Sequence, residues 1–186
     1  MEITETLYAP DRKAWRKWLE QNYRSASEIW LVAYRKRTGK PSVPYSDAVE
    51  EALCFGWIDS TVKSLGAERT AQRFSRRKPG SPYSQTNKER LRRLLAQGRV
   101  MEDVRATLGD ILSEKFEIPP DILQALKANE QAWRNFQRYP EPYQRIRIAY
   151  IDGARKRPEE FQKRLNHFLR MTELGKQFGY GIEAFY

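Results

Sequence analysis

Apolar residues in this chain recur first at helical spacing, then at strand spacing, and beyond residue 100 at helical spacing alone. Trp15, Trp18 and Leu19 stand at i, i+3 and i+4 behind Pro10 and Asp11. That spacing predicts a helix capped by Asp11. From Glu28 to Lys36 the period changes. Ile29, Trp30, Leu31, Val32 and Tyr34 are β-favouring and nearly continuous. They predict a strand buried on both faces, or on one face with aromatic cover. A second helix is expected with Ser46 as its cap and Asp47 in the first turn, where the helix dipole favours a carboxylate. Val49, Ala52, Leu53, then Phe55 and Trp57 give it an apolar side, and Gly56 marks its end. Ile58 to Val62 and Arg69 to Ser75 read as two short strands. Ser64-Leu65-Gly66-Ala67 turns between them, which predicts an antiparallel hairpin beside the first strand.

Arg76 to Pro82 is a loop by its Pro, Gly and Ser content. Ser84 then caps a third helix through Leu91, Leu94 and Leu95, and Gly98 stops it. Past Val100 the pattern predicts helices over Met101 to Leu112, Pro119 to Ala128, Tyr143 to Ala154 and Pro158 to Leu174. The tail from Phe178 to Tyr186 is aromatic and broken by glycine, so it docks or frays. The expected fold class is α+β: a small antiparallel sheet of about three strands packed by helices, then an all-helical C-terminal portion. The expected division is 1–100 and 101–186.

Composition narrows the function classes. Of 186 residues, 40% are hydrophobic and 12% aromatic, enough to fill a core and to exclude disorder throughout. The longest apolar runs, Ile29 to Tyr34 and Ala52 to Ile58, fall far short of the roughly 20 residues of a membrane span. Met1 to Tyr8 carries Glu2 and Glu5 and lacks the basic and apolar regions of a signal peptide, so a cytoplasmic location is expected. One cysteine, Cys54, and one histidine, His167, exclude an intrachain disulfide and the common structural zinc sites. No metal and no cofactor are expected. Cys54, near the C-terminal end of an apolar helix, reads as a small core residue.

The net charge is +10, and the excess is mostly arginine, which forks onto phosphate and carboxylate oxygens. A small anionic ligand or a nucleic acid is the implied partner. The same charge argues against capture of cationic peptides by electrostatic attraction. Arg37-Thr38-Gly39-Lys40-Pro41 is a basic turn, but it lacks the upstream glycine of a nucleotide phosphate loop, and Pro41 follows the lysine. Trp57, Asp59, Arg73, Arg76, Arg77, Ser81, Tyr83, Ser84, Asn87 and Lys88 form the candidate ligand site. Arginines there enter a loop that leads into a helix N-terminus at Ser84, where free N–H groups favour an anion, while Tyr83 and Trp57 offer rings for stacking. The competing structural reading has Ser84 only capping its helix and Asp59 pairing with Arg73 or Arg76. Asp59 stands without a second carboxylate or a histidine beside it, so no catalytic residue is assigned, and an enzyme using Asp59 is a rival reading. Arg145-Ile146-Arg147-Ile148 and Ala154-Arg155-Lys156-Arg157 read either as a solvated helix face or as a stripe for phosphates.

Several stretches resemble one family. Glu28 to Lys36, Tyr45 to Ser60 with its Ala52-Leu53-Cys54-Phe55-Gly56-Trp57-Ile58-Asp59 block, Arg73 to Arg77 and Ser81 to Lys88 resemble the YdeI/OmpD-associated family. Pro119 to about Leu169 looks like its bacteriocin-protection domain. Ser75-Arg76, Tyr83 and Glu160-Phe161 depart from the family pattern, the last by removing a cation. The resemblance implies a role in protection against bacteriocins and cationic antimicrobial peptides or in stress resistance. It implies a porin association by name only, a location sometimes given as periplasmic, and no catalytic residues. A non-enzymatic binding protein of this type is the expected function.

Overall fold

The computed structural model describes residues 2–109, 113 and 115–186. The chain folds as two units, Met1–Tyr83 with Arg90–Leu112, and Ser84–Glu89 with Ser113–Tyr186. The first unit leaves the chain after Tyr83 and resumes at Arg90.

In the first unit, β1 (Thr6–Tyr8), α1 (Arg12–Asn22), β2 (Glu28–Tyr34), α2 (Tyr45–Cys54), β3 (Trp57–Ser64) and β4 (Arg69–Arg76) follow one another. Helix α3 (Gln85–Ala96) is divided between the units at Arg90, and α4 (Glu102–Leu108) returns to the first. The sheet has four strands in the order β1-β2-β4-β3. It is mixed: β1 runs parallel to β2, and the other pairings are antiparallel. The expected hairpin forms, with β4 beside the first long strand. The extra strand, β1, is three residues long and too short for a periodic signature.

Strand β2 sends alternate residues to opposite faces. Ile29 and Leu31 join Phe74 of β4 in the core with Trp15, Leu19, Leu53, Trp57, Leu91 and Leu94. The opposite face carries the cross-strand pairs Trp30–Arg73, Val32–Ala71 and Tyr34–Arg69. Of the two readings of this strand, the first holds: Trp30 and Val32 on this face are as buried as Ile29 and Leu31 on the other, and Ala71 beside Val32 is fully buried as well.

Asp11 caps α1 as expected, its carboxylate accepting from the Ala14 N–H at 2.8 Å. The Trp15 indole donates to the Ala48 carbonyl at 3.0 Å and ties α1 to α2. Helix α2 corrects the expected start. Pro44, with φ −59°, is its N-cap, and Ser46 lies inside the first turn. Gly56 ends the helix at φ +70°, a left-handed conformation that suits glycine, and a side chain there would crowd Val104.

The second unit is helical apart from its connections: α5 (Pro120–Lys127), α6 (Glu130–Phe136), α7 (Glu141–Asp152) and α8 (Pro158–Glu173). Ile122, Leu126, Phe136, Ile148, Ile151, Leu165 and Phe168 close its core. Helix α6, capped by Asn129, was not expected; at seven residues its pattern is too short to stand out. The C-terminal end of the expected helix over Met101 to Leu112 lies outside the described residues. The tail docks. Ile182 and Phe185 are buried with Tyr143 and Ile146, and the Tyr143 hydroxyl accepts from the Phe178 N–H at 3.0 Å.

Candidate functional site

The loop after β4 was the expected ligand site, and the structure separates its residues. Trp57 is fully buried, its indole donating to the Tyr23 carbonyl at 3.3 Å and its ring edge-on to Trp18. It is a core residue with no ring face left at the surface. Arg73 turns to Glu28, which also accepts from the Thr4 hydroxyl at 2.6 Å. The Thr4 and Arg73 hydrogen bonds hold the Glu28 carboxyl below its ordinary value. Asp59 does not pair with Arg73 or Arg76. It accepts from the Tyr45 hydroxyl at 2.8 Å. Arg76 donates to the Ala26 carbonyl at 2.7 Å.

Arg77 and Tyr83 do come together. The guanidinium lies 3.6 Å from the centre of the Tyr83 ring and donates to the carbonyls of Ser81 and Pro82, each at 2.8 Å. Its Nη1 is buried with no hydrogen-bond partner. Among the described residues no carboxylate pairs with Arg76, Arg77 or Lys78. Burial therefore lowers the Arg77 guanidinium from its ordinary value, opposed only by Tyr83. Ser84, Asn87 and Lys88 belong to the second unit, where the Ser84 hydroxyl accepts from the Asn87 N–H at 3.3 Å and caps α3.

A larger polar centre, with almost no signature in the sequence pattern, lies along α2. Every residue of α2 from Ala48 to Cys54 is buried, including Glu50 and Glu51. Glu51 is 0% exposed and accepts from Arg12 at 2.5 Å, from Arg16 at 2.9 Å and from Arg99. Glu50 accepts from Arg12 at 3.0 Å and from Arg93, and Asp47 accepts from Arg12 at 2.8 Å. Burial pulls Arg12 and Arg16 down, but hydrogen bonds and charge from Glu51 outweigh it and raise both. The contrast with Arg77 is a matter of partners: carboxylates face one set of arginines and carbonyls face the other. The one advance signal was Glu50-Glu51 inside an otherwise apolar helix, which also reads as a solvated face.

Arg90, 5% exposed, lies in the same unit; burial lowers it, and Tyr45, Glu50 and Asp59 oppose the shift. Cys54 is buried at the end of α2, and burial together with Glu51 pushes its thiol up to about 11. It is the core residue expected.

Of the two readings of the basic runs in the second unit, the ion pairs of Arg145 and Arg155 favour a helix face over a stripe for phosphates. Arg145 forks onto buried Glu89 at 2.8 and 3.0 Å, and Arg155 onto Asp121 at 2.9 and 3.1 Å. Arg147 is 6% exposed, with Phe178 at 4.0 Å and Tyr150 at 4.8 Å from its guanidinium carbon. Its Nε is buried without an acceptor. His167 packs its ring 4.7 Å from Phe178.

These features define an α+β protein whose arginines divide into a carboxylate-bound set and a set without acidic partners. Residues 7–107, more than half the chain, match the family described as Domain of unknown function (DUF8412), and the chain belongs to that family. Residues 115–175 match the family described as Bacteriocin-protection, YdeI or OmpD-Associated. The expected resemblance thus holds for the C-terminal part, while the Ala52-to-Asp59 block falls in the first family's span. No curated protein and no solved structure matches the chain. Among the described residues no helix is long and apolar enough to cross a membrane.

Proposed function

We propose that the chain is a non-enzymatic binding protein of the YdeI/OmpD-associated type, acting in a cytoplasmic, reducing compartment in protection against bacteriocins, cationic antimicrobial peptides or related stress. Its ligand in this reading is a small anion held by the loop after β4. The observation that carries the reading is the Arg77–Tyr83 stack. A guanidinium is fixed by two carbonyls and a ring, with Arg76 and Lys78 beside it in sequence and no described carboxylate paired with any of the three. An anion at this loop supplies the opposite charge that the chain leaves out, and guanidinium groups bind phosphate and carboxylate oxygens through paired hydrogen bonds. Asp59 is engaged by Tyr45, which favours a structural part for it over a catalytic one.

A thermal-shift panel of phosphate, sugar phosphates and nucleotides on wild type and Arg76→Ala/Arg77→Ala tests the reading. A ligand specific to the folded state adds about 2.7 kcal/mol at a hundredfold excess over Kd. The expected result is a midpoint rise with at least one small anion, absent in the double variant. No rise with any of them, or a rise that survives the double substitution, refutes the loop as the site.

A further inference from the structure

The acidic residues of the first unit are gathered mostly on its helical side, and the far end of the sheet is left positive. Glu50, Glu51 and Asp47 engage Arg12, Arg16, Arg93 and Arg99. Glu28 takes Arg73 and Asp103 takes Arg24. Where β2 ends and β4 begins, Arg35, Lys36, Arg37, Lys40 and Arg69 are all exposed, and none forms an ion pair with a described carboxylate. Glu68 is the acidic residue among them.

The fold draws these cations together. Tyr34 pairs with Arg69 in register, and the Arg35 N–H donates to the Glu68 carbonyl at 2.8 Å. The Arg37 guanidinium donates to the Ala67 carbonyl, which ties the basic turn to the hairpin tip. Gly39, at φ +68°, reverses the chain, and the Lys40 ammonium lies 4.8 Å from the centre of the Tyr34 ring. Tyr34 meets Tyr8 edge-on at 5.2 Å, and Tyr8 stays 43% exposed while its hydroxyl donates to the Pro41 carbonyl at 2.6 Å. Tyr8 pairs with Val32 in register, beside the face that bears Trp30, Val32 and Tyr34. Trp30, Val32 and Ala71 are buried, so the aromatic pair of exposed Tyr8 and half-buried Tyr34 sits at the β1 edge of the sheet, beside a five-cation cluster.

We infer that this end of the sheet binds single-stranded nucleic acid, with Arg35, Lys36, Arg37, Lys40 and Arg69 on phosphates and Tyr8 stacking on a base. An exposed ring at a sheet edge with flanking cations suits unpaired bases, because every base offers a π-face and the backbone offers regular charge. A small anion needs convergent, fixed donors, and these side chains are exposed and spread along three segments. A duplex engaged through its phosphates alone would leave Tyr8 idle. The surface is separate from the Arg77 loop: Arg69 opens β4 and Arg76 closes it, and at about 3.3 Å per residue the two are roughly 23 Å apart.

Fluorescence anisotropy with labelled oligo-dT and oligo-U single strands tests the inference, on wild type, Arg37→Glu/Lys40→Glu/Arg69→Glu, the milder Arg37→Gln/Lys40→Gln/Arg69→Gln, Tyr8→Leu and Arg76→Ala/Arg77→Ala. Melting curves confirm that each variant folds. If all five cations meet phosphates, log K falls against log salt with a slope near −3.5, from about −0.7 per contact. The Gln variant is expected to bind more than tenfold more weakly with a shallower slope. Tyr8→Leu should lose about tenfold at unchanged slope, and the Arg76/Arg77 variant should bind like wild type. No binding at 50 mM salt overturns the inference, as does binding unmoved by both charge variants. Tyr8→Leu binding as tightly as wild type refutes the single-strand assignment and leaves only a generic polyanion surface. Attachment to anionic vesicles without oligonucleotide binding refutes it in favour of a lipid partner. Loss of binding in the Arg76/Arg77 variant alone would move the nucleic acid to the other loop.

Discussion

Replacing Glu51 tests the account of the first unit most directly. Its carboxylate is the meeting point of Arg12, Arg16 and Arg99, and its side chain is 1% exposed. Glu51→Ala strips Arg99 of its carboxylate and takes one from each of Arg12 and Arg16, which keep Glu50 with Asp47 and Glu20 respectively. Removing one partner from a buried ion pair costs about 3–5 kcal/mol. For a chain of this length each kcal/mol moves the melting midpoint by about 2–4 °C, so the expected fall is about 6–20 °C. Glu51→Gln keeps the shape and one acceptor oxygen but loses the charge, and should cost about 1.5–3 kcal/mol. The deficit should persist in 0.5 M salt, because buried pairs are screened much less than exposed ones. Glu102→Gln, whose side chain is 85% exposed and lies 3.8 Å from Arg105, is the matched control and should cost under about 0.5 kcal/mol. Differential scanning fluorimetry with near-UV circular dichroism reads all three. A Glu51→Ala midpoint within about 2 °C of wild type would refute the reasoning, since the arginines would then be solvated rather than held.

Cys54, with its thiol pushed up to about 11, should resist iodoacetamide at pH 8 in the folded protein and react readily in guanidinium chloride; mass spectrometry of the two reactions settles it. Glu28 is held low by Thr4 and Arg73, and Asp121 by Arg155. Both folded values lie below the unfolded ones, so their contribution is complete above about pH 4.5 and fades as pH falls through the folded values. Urea midpoints should therefore drop between pH 5 and pH 3, less steeply in Arg73→Gln/Arg155→Gln. Arg147 is buried between rings with no acidic partner among the described residues, and burial lowers its guanidinium. Arg147→Met should hold or raise the urea midpoint and Arg147→Lys should lower it, since an ammonium cannot lie flat between two rings; a Met variant less stable than the Lys variant contradicts this.

The elements most legible in the sequence were those whose signal is repeated. Trp15, Trp18 and Leu19 announced α1, the β-branched and aromatic run from Ile29 announced β2, and proline starts announced α5 and α8. Elements with fewer than about two periods stayed hidden, as with β1 and α6. At the candidate site, the sequence placed Arg77 and Tyr83 in one short loop, but not the stacking of one on the other: Tyr83 was expected to offer its ring to a ligand. The partners of Arg73 and Asp59 were not legible either, because Glu28 and Tyr45 come from β2 and α2 and no local pattern links them to the hairpin. The arginine–glutamate centre was hidden for the same reason. Its members are spread from Arg12 to Arg99, and periodicity carries no record of which distant charges meet.

The interruption of the first unit has a consequence for how it matures on the ribosome. Glu50 and Glu51 are made well before Arg93 and Arg99, which complete their set of partners. Elongation at about 5–20 residues per second puts several seconds between Glu51 and Arg99. Through that interval the nascent sheet and first two helices carry buried-to-be carboxylates that only Arg12 and Arg16 can meet, and Leu91, Leu94 and Leu108 have yet to close the core. Final consolidation of the N-terminal half is thus a late event in synthesis, timed by the arrival of the chain's middle.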